Sequence, residues 1–331
     1  MDDVAPGDNH VFRVRRVDAT NPPNLTGHDL DRVRYSTWPV ANATGGQWSS
    51  EETLIGVKPD GVYAAELLAR TNPSRPVVDV PAFLGELGDF PKLFKIAGEN
   101  AIRTVARGNL AFWFGWKPMV QDLYKMMQFS TVANARAKEL KELYTKGLSC
   151  TRSLDSISAS SSTGSFQATA YDTVKTTRMS NAEIWGHCKW KPTSVPPSTE
   201  QGMINLAMRA AYGLTLDPAT AWELIPFSWM IDWFTSVGDY LNSQRNTVGA
   251  APYDISIMRK TTTTHGFSKG TWPSTNLNLQ GGPIKYEQKL RVPASASLDA
   301  YLPYLSMQQL SILGSLWILG AGASWSRGRR G

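Results

Sequence analysis

Hydrophobic and polar positions change period several times along the chain, and each change marks a different element. Near the start, "VFRVRRV" (11–17) alternates, placing Phe12 and Val14 on one face and Arg13 and Arg15 on the other. That is the period of a strand. "DRVRYSTW" (31–38) repeats it, with Arg32 and Arg34 on one face. The breakers "NPPN", "NATGG", "KPDG" and "NPSRP" punctuate these runs, so residues 10–95 are expected to be strands and turns. A glycine-rich turn at 44–46 between Trp38 and Trp48 predicts a hairpin with aromatic strands.

After Pro91 the period becomes helical, with Leu93, Ile96, Ala97, Ala101 and Val105 on one stripe. From Pro118 to Gly147 no further proline or glycine intervenes; Pro118 suits a first turn and Gly147 a C-terminal cap. The predicted helix has about 29 residues and is roughly 43 Å long. Residues 149–196 return to strand chemistry: a serine- and threonine-rich hairpin with Gly164 at its turn, in which Phe166, Ala168 and Ala170 alternate. Met203, Leu206, Ala207, Ala210 and Leu214 make the next helical stripe, stopped at Gly213; Asp217 then caps and Pro218 starts another helix. Residues 245–292 read as strands and 297–320 as helix.

This order excludes a repeated βαβ unit, because the helices are too long and the strands too clustered. The expected fold is α+β, an elongated two-region protein made of an α-helical bundle and a mostly antiparallel β-sheet region, interleaved along the chain. The β region takes 1–92, a hairpin at 149–197 and strands at 245–294. The bundle takes 93–148, 198–244 and, with a basic tail, 295–331.

The densest aromatic stretch is "AWELIPFSWMIDWFTSVGDYL" (221–241). Past Pro226, residues Phe227, Met230, Ile231, Phe234, Gly238 and Leu241 share one helical face, and Trp229, Trp233 and Tyr240 lie beside it. Ser228, Asp232, Thr235, Ser236 and Asp239 form a narrow polar strip. A helix apolar around most of its circumference is buried, and a proline inside it bends it. The pattern therefore predicts one central helix, kinked once. A carboxylate among tryptophans needs a partner, a base or a backbone amide on a neighbouring helix, with Lys117 as the candidate base. A catalytic acid needs a second carboxylate, a histidine or a metal, and the surrounding sequence supplies none, so Asp232 reads as structural.

Charge and composition narrow the function. Lys and Arg number 34 against 28 Asp and Glu, so the net charge of +6 leans toward a polyanionic partner. The 42% apolar fraction is that of a folded protein. The 12 tryptophans suit sheets and interfaces as well as cores. The two cysteines, Cys150 and Cys188, and the four histidines have no zinc-ligand spacing; His187 and Cys188 adjoin but lack further ligands nearby. No metal or other cofactor is expected, and whether the cysteines are bonded stays open. The acidic, polar start "MDDVAPGDNH" does not read as a secretory signal. The apolar run "LSILGSLWILGAGASW" (310–325) is shorter than the roughly 20 residues that span a bilayer; it reads as a buried terminal helix ending at Gly320, with membrane contact as the lesser alternative. Phosphate-loop, nucleophile-elbow, zinc-protease and dinucleotide fingerprints do not occur, so no enzyme class is indicated.

Two separated segments carry a family resemblance. "FWFGWKPMVQDLY" (112–124) has Phe114, Gly115, Trp116, Pro118 and Asp122 in an F-G-W-x-P-x-x-x-D pattern. "DPATAWELIPFSWMIDWFTSVGDYL" (217–241) has Trp222, Glu223, Pro226, Phe227, Ser228, Asp232 and Trp233, then Val237 and Gly238. Order and spacing resemble the maturation (A) proteins of single-stranded RNA bacteriophages, the levivirus group. The resemblance implies a virion protein without enzymatic activity. Such a protein is present once per capsid in place of a coat-protein dimer, binds the genomic RNA at hairpins near its 3′ end, and adsorbs the particle to a bacterial pilus for RNA entry. It implies as partners the viral RNA, the coat protein and pilin, with no small-molecule substrate. Its β region is expected outside the capsid, and the protein is made in the host cytoplasm. An alternative within the family adds a lysis role, by cell-wall synthesis inhibition or membrane activity; an unrelated cellular RNA-binding protein is a further one.

RNA binding would rest on basic side chains against phosphates. Candidates are Arg103 and Arg107, then Lys125, Arg136, Lys138, Lys141 and Lys146 on the long helix, and Arg327, Arg329 and Arg330 in the acid-free tail "SRGRRG". The competing reading of "ARAKELKEL" is an ordinary solvated face partly neutralised by Glu139 and Glu142. Receptor binding would belong to the strands, where Arg13, Arg15, Arg32 and Arg34 offer a basic face to an acidic pilin surface; edge-blunting charges are the plainer reading. Trp38, Trp48 and Trp185 are interface candidates by residue type, with core packing as the safer assignment.

Overall fold

The structure is a computed structural model that describes residues 11–18, 24–28, 34–39, 57–77, 129–167, 172–214, 217–225, 228–273, 276–301 and 305–327, with isolated positions between 105 and 121. The fold is α+β, with antiparallel strand pairing. In chain order the elements are β1 (Phe12–Asp18), β2 (Asn24–His28), β3 (Arg34–Pro39), α1 (Asp60–Thr71), α2 (Phe129–Lys146), β4 (Leu148–Gln167) and β5 (Thr173–Pro192). There follow α3 (Glu200–Ala211), α4 (Pro218–Glu223), α5 (Ser228–Ile231), α6 (Val237–Ser243), β6 (Ala250–Lys269), β7 (Leu277–Gln280), β8 (Ile284–Pro293) and α7 (Met307–Arg327). A five-stranded sheet runs in the order β1-β8-β6-β5-β4, and a three-stranded sheet in the order β3-β2-β7.

The chain divides into two compact units. The first comprises 1–63, 151–187 and 254–294, and the second 64–150, 188–253 and 295–331. In the first unit β1 lies antiparallel on β8 with Phe12 opposite Arg291 and Val17 opposite Tyr286. β8 in turn pairs with β6, Ile257 opposite Val292 and His265 opposite Ile284. Strand β5 alternates cleanly along its central part: Val174, Ser180, Ala182 and Ile184 are buried, while Lys175, Thr177, Met179, Asn181 and Glu183 are exposed. That period of two is the reason it is a strand. A core of Leu25, Val174 and Leu277 forms against Phe267, Trp272 and Leu279. Trp272 fixes its ring by donating Nε1–H to the Thr173 carbonyl.

In the second unit α2 buries Ala133, Arg136, Leu140 and Leu143, a stripe at helical spacing, and packs on α3, whose Ala207, Ala210 and Ala211 are buried and whose end meets Val132. The loop after α1 is tied to α2 by Arg75, which donates to both oxygens of Glu139 (3.0 and 3.3 Å). Trp190 is fully buried and donates Nε1–H to the Thr71 hydroxyl (3.2 Å), which donates to the Leu67 carbonyl. Cys150 and Cys188 are not joined in a disulfide, and the Cys188 sulfur lies 3.2 Å from the Thr71 hydroxyl.

Several elements differ from the sequence expectation. The segment read as strands and turns contains α1, whose Val62 to Leu68 are all buried. The 149–196 hairpin forms, but Gly164 lies inside β4 opposite Thr176, and the connection falls after Gln167. Of the predicted 118–147 helix, the continuous described part is α2; its start lies outside the described residues, as do Leu93, Ile96, Ala97 and Ala101 of the preceding stripe and the Trp48 turn, while Val105 of that stripe is helical but 72% exposed. The final helix begins at Met307 instead of 297. Val14, on the apolar side of the first strand's alternation, is 42% exposed.

Helix α2 ends as predicted. Gly147 adopts φ +79°, its N–H donates to the Leu143 carbonyl (3.0 Å), and a Cβ there would stand 2.9 Å from the Trp190 carbonyl oxygen. A side chain in this left-handed conformation costs about 1–2 kcal/mol before any clash. Gly147→Ala is therefore expected to destabilise the chain by about 1–2 kcal/mol or more, read as a shift in urea midpoint. Thr145→Ala, at an exposed site, should stay within about 0.5 kcal/mol.

Candidate functional site: the Asp232 clasp and the basic faces

The 221–241 stretch is broken where a single helix was predicted. Asp217 and Pro218 start α4 as expected, the Asp217 carboxylate accepting from Thr220 N–H (2.9 Å). The helix stops after Glu223, and α5 and α6 follow as separate short turns. Helices of four to seven residues have no stability of their own, so side chains must hold them.

Asp232 does most of this. Its Oδ2 accepts from Trp222 Nε1–H (3.0 Å), and its Oδ1 accepts from the Gly238 amide (2.8 Å). One carboxylate thereby joins the end of α4 to the start of α6. Ser236, at the N-cap of α6, makes no side-chain cap bond, so Asp232 satisfies an orphan amide of the first turn in its place. The Ser236 hydroxyl instead donates to the Ser297 carbonyl (3.2 Å) and accepts from Asp299 N–H (3.1 Å). Tyr301 closes the same side, donating its hydroxyl to the Asp232 carbonyl (3.3 Å) and its amide to the Phe234 carbonyl (2.9 Å).

Gly238 is required by close approach: a Cβ there would meet Asp232 Oδ2 at 2.6 Å. The spacing of Trp222, Asp232 and Gly238 thus has one physical content, a carboxylate gripped by an indole and a bare amide. Of the two kinds of partner expected, the backbone amide is the one found; Lys117, the candidate base, lies instead over the Trp113 ring, its Nζ 4.2 Å from the centroid. An indole and an amide satisfy the carboxylate without burying a second charge.

Two further residues secure the stretch. Arg245 is buried, donates to the Thr220 hydroxyl (3.0 Å) and stands 3.4 Å from Asp217. The buried Asn72 amide donates to the carbonyls of Asn242, Ser243 and Arg245, at the end of α6. Beside the clasp lies an open polar cleft of about 340 Å³ lined by Trp222, Glu223, Asp232, Asp239 and Asn242 among others. Both oxygens of its central carboxylate are already occupied, and Ser228 on its wall is buried. The stretch is not enclosed on all sides: Ile231 and Phe234 are 43% and 37% exposed, and Leu224 and Ile225 are exposed as well.

The basic candidates separate by burial. Arg136 is 4% exposed, donates to Glu139 (2.7 Å) and to the Arg75 carbonyl (2.9 Å), and so belongs to the interior. Burial, with Arg75 beside it, pulls its guanidinium down to about 10 against the pull of Glu139. It is withdrawn from phosphate contact. Lys138, Lys141 and Lys146 are exposed on α2. Lys146 is engaged with Glu142 (2.7 Å), a bond that holds the Glu142 carboxyl below its usual value. Arg103, Arg107, Lys125, Arg329 and Arg330 lie outside the described residues, and Arg327 closes α7.

On the sheet, Arg13 is exposed and sits opposite Leu290, while Arg15 sits opposite the buried Gln288. Arg34 pairs with His28 across β2–β3; Arg32 lies outside the described residues. The alternation in the first strands did not point to Lys260 and Lys289, which face each other directly across β6 and β8. Like charges so placed repel, and Glu287 answers both, at 3.9 and 3.5 Å. The lysine in "IKYEQKLRV" two places after the glutamate was the available signal. Trp185 is half-buried on β5, Trp38 lies opposite Leu25, and Trp48 is outside the described residues. Of the family-pattern residues, Phe114, Gly115, Trp116, Pro118, Asp122, Pro226 and Phe227 are outside the described residues; Glu223 is exposed and Trp233 half-buried.

Asp232→Ala leaves two donors unanswered and is expected to lower stability by about 2–3 kcal/mol. Gly238→Ala should do so by about 1–3 kcal/mol through overpacking against the carboxylate. Thermal denaturation of each variant checks both, and the double variant should fall short of the sum because both changes dismantle one contact.

The clasp lies within the reach of one comparison with known proteins. The profile of a family described as phage maturation protein matches residues 85–264, more than half of the 331-residue chain, and spans both "FGWKP" and the Asp232 clasp. No curated protein sequence matches the chain. With its two signature segments inside that match, and the second accounted for by the contact that Asp232 makes, the chain belongs to the phage maturation protein family.

Proposed function

We propose that this maturation protein binds the genomic RNA of its phage at hairpins near the 3′ end, stands in the capsid in place of a coat-protein dimer, and adsorbs the particle to a bacterial pilus for RNA entry. The family is one of virion components, and its role is phage maturation. The observation that carries the RNA-binding part is the two-sidedness of α2. Its inner side is fixed by Leu140, Leu143 and the buried Arg136, while Lys138, Lys141 and Lys146 are turned to solvent. A rigid helix with an exposed lysine face is a backbone-contacting surface for a polyanion. The basic residues at 327, 329 and 330 add to it. For adsorption, the Lys260–Glu287–Lys289 row on β6 and β8, with exposed Arg16 of β1 paired to Glu287, offers a charged sheet face to an acidic pilin surface. Arg13, paired to Leu290, belongs to the other face.

Crosslinking and sequencing of RNA in purified particles tests the reading, with discrete contacts to viral hairpins as the expected result. Protein recovered without specific crosslinks would refute it. A finer test uses Lys138→Gln with Lys141→Gln. Each lost phosphate contact on single-stranded RNA should reduce the slope of log affinity against log salt by about 0.7, so by roughly 1.4 for the pair. Arg136→Gln should instead lower stability, because it strips Glu139 and the Arg75 carbonyl of a partner.

A further inference from the structure

Helix α7 is unusual for a surface helix: it carries no charged residue before Arg327. Its inner side is settled, with Ile312 and Ser315 buried and Asn109 donating to the Ser315 hydroxyl (3.0 Å). Its outer side is largely apolar; Gln308 and Ser311 are exposed there too, the Ser311 hydroxyl donating to the helix's own Gln308 carbonyl (2.8 Å). Met307 is 82% exposed, Leu310 48% and Trp317 73%, and a Cβ at Gly314 between them would meet nothing within 4 Å. Positions 307, 310, 314 and 317 share one side of a helix at spacings of three and four. Lysine and glutamate ordinarily occupy such a side.

Charge points to what covers it. Residues 300–331 contain no Asp or Glu, while Arg327, Arg329 and Arg330 follow the apolar run in the sequence. Length decides the geometry. The apolar run 310–325 rises about 24 Å as a helix, less than the roughly 30 Å of a bilayer's hydrocarbon core. Among the described residues no helix is long and apolar enough to cross a membrane. We propose that the outer face of α7, with the arginines after it, docks on an anionic lipid bilayer. The helix lies in the plane of the headgroups, Leu310 and Trp317 enter the acyl boundary, and the arginines meet lipid phosphates. Trp is well suited to that depth, with one polar edge and an apolar body. RNA would engage the arginines equally well, but it has no use for Met307 and Leu310. The apolar row therefore carries the assignment to lipid, which goes beyond the RNA and pilus contacts proposed above.

Flotation of the full chain with phospholipid vesicles tests this. The chain is expected to float with an equal mixture of phosphatidylcholine and phosphatidylglycerol, and much less with phosphatidylcholine alone. Leu310→Gln with Trp317→Gln should reduce flotation by about tenfold or more, since both large apolar side chains would lose their burial in the acyl boundary. Both positions are exposed, so circular dichroism should be unchanged. Arg327→Gln, Arg329→Gln and Arg330→Gln together should abolish the preference for phosphatidylglycerol. No flotation by the wild-type chain, or equal flotation by either variant, would overturn the proposal. So would a double variant that floats normally and loses its crosslinks to viral RNA, which would give the face to RNA.

Discussion

One carboxylate holds together a stretch of chain that cannot hold itself. Helices α4, α5 and α6 are four to seven residues long, below the length at which backbone hydrogen bonds offset the entropy of forming a turn. Their order comes from side chains that satisfy the orphan groups at their ends. Asp217 caps α4, Asp232 supplies the first turn of α6 from six residues upstream, and Asn72 receives the carbonyls at its far end. Because Asp232 serves α6, Ser236 is released to fasten the 297–299 segment. Removing the carboxylate therefore disturbs more than the two bonds it accepts.

The same constraint explains where pattern reading succeeded and where it failed. Elements whose ends carry local chemistry were legible: Gly147 after α2, Gly213 after α3, and Asp217 with Pro218 at α4 all sit where turn and cap residues put them. The β4–β5 hairpin was legible from alternation. The 221–241 stretch misled because its apolar period is helical throughout, and period carries no information about a side chain that bonds to an amide six residues on. Helix α1 was missed for the converse reason. "KPDG" reads as a turn, yet the Pro59 carbonyl accepts from Val62 and Tyr63 and opens the helix, and Asp60 suits its first turn. The run "VYAAELLA" that follows is rich in helix formers, and that was the signal to weigh.

Surfaces were less legible than elements, for a reason visible within α2. Arg136 and Lys138 are two residues apart, both cationic, and equivalent in any count of charge. Packing against α3 and the tie to the 72–77 loop send one inward and leave the other in water. A guanidinium suits the inward position because its planar fork donates to Glu139 and to a backbone carbonyl at once. Such a choice depends on which carbonyls a neighbouring loop presents, and that is a property of the folded chain.

The clasp also separates the family signature from the surfaces that act. Trp222, Asp232 and Gly238 are engaged with one another, so the role of these three signature residues is to hold the stretch together. What the clasp leaves over is exposure: fastened by hydrogen bonds, the stretch does not need to bury Ile231 and Phe234. A single straight helix with the same sequence would have had to cover both to be stable, because its order would have come from apolar burial. Breaking the helix and clasping it thus fixes the backbone while leaving apolar side chains at the surface. Partner-binding surfaces need both conditions at once.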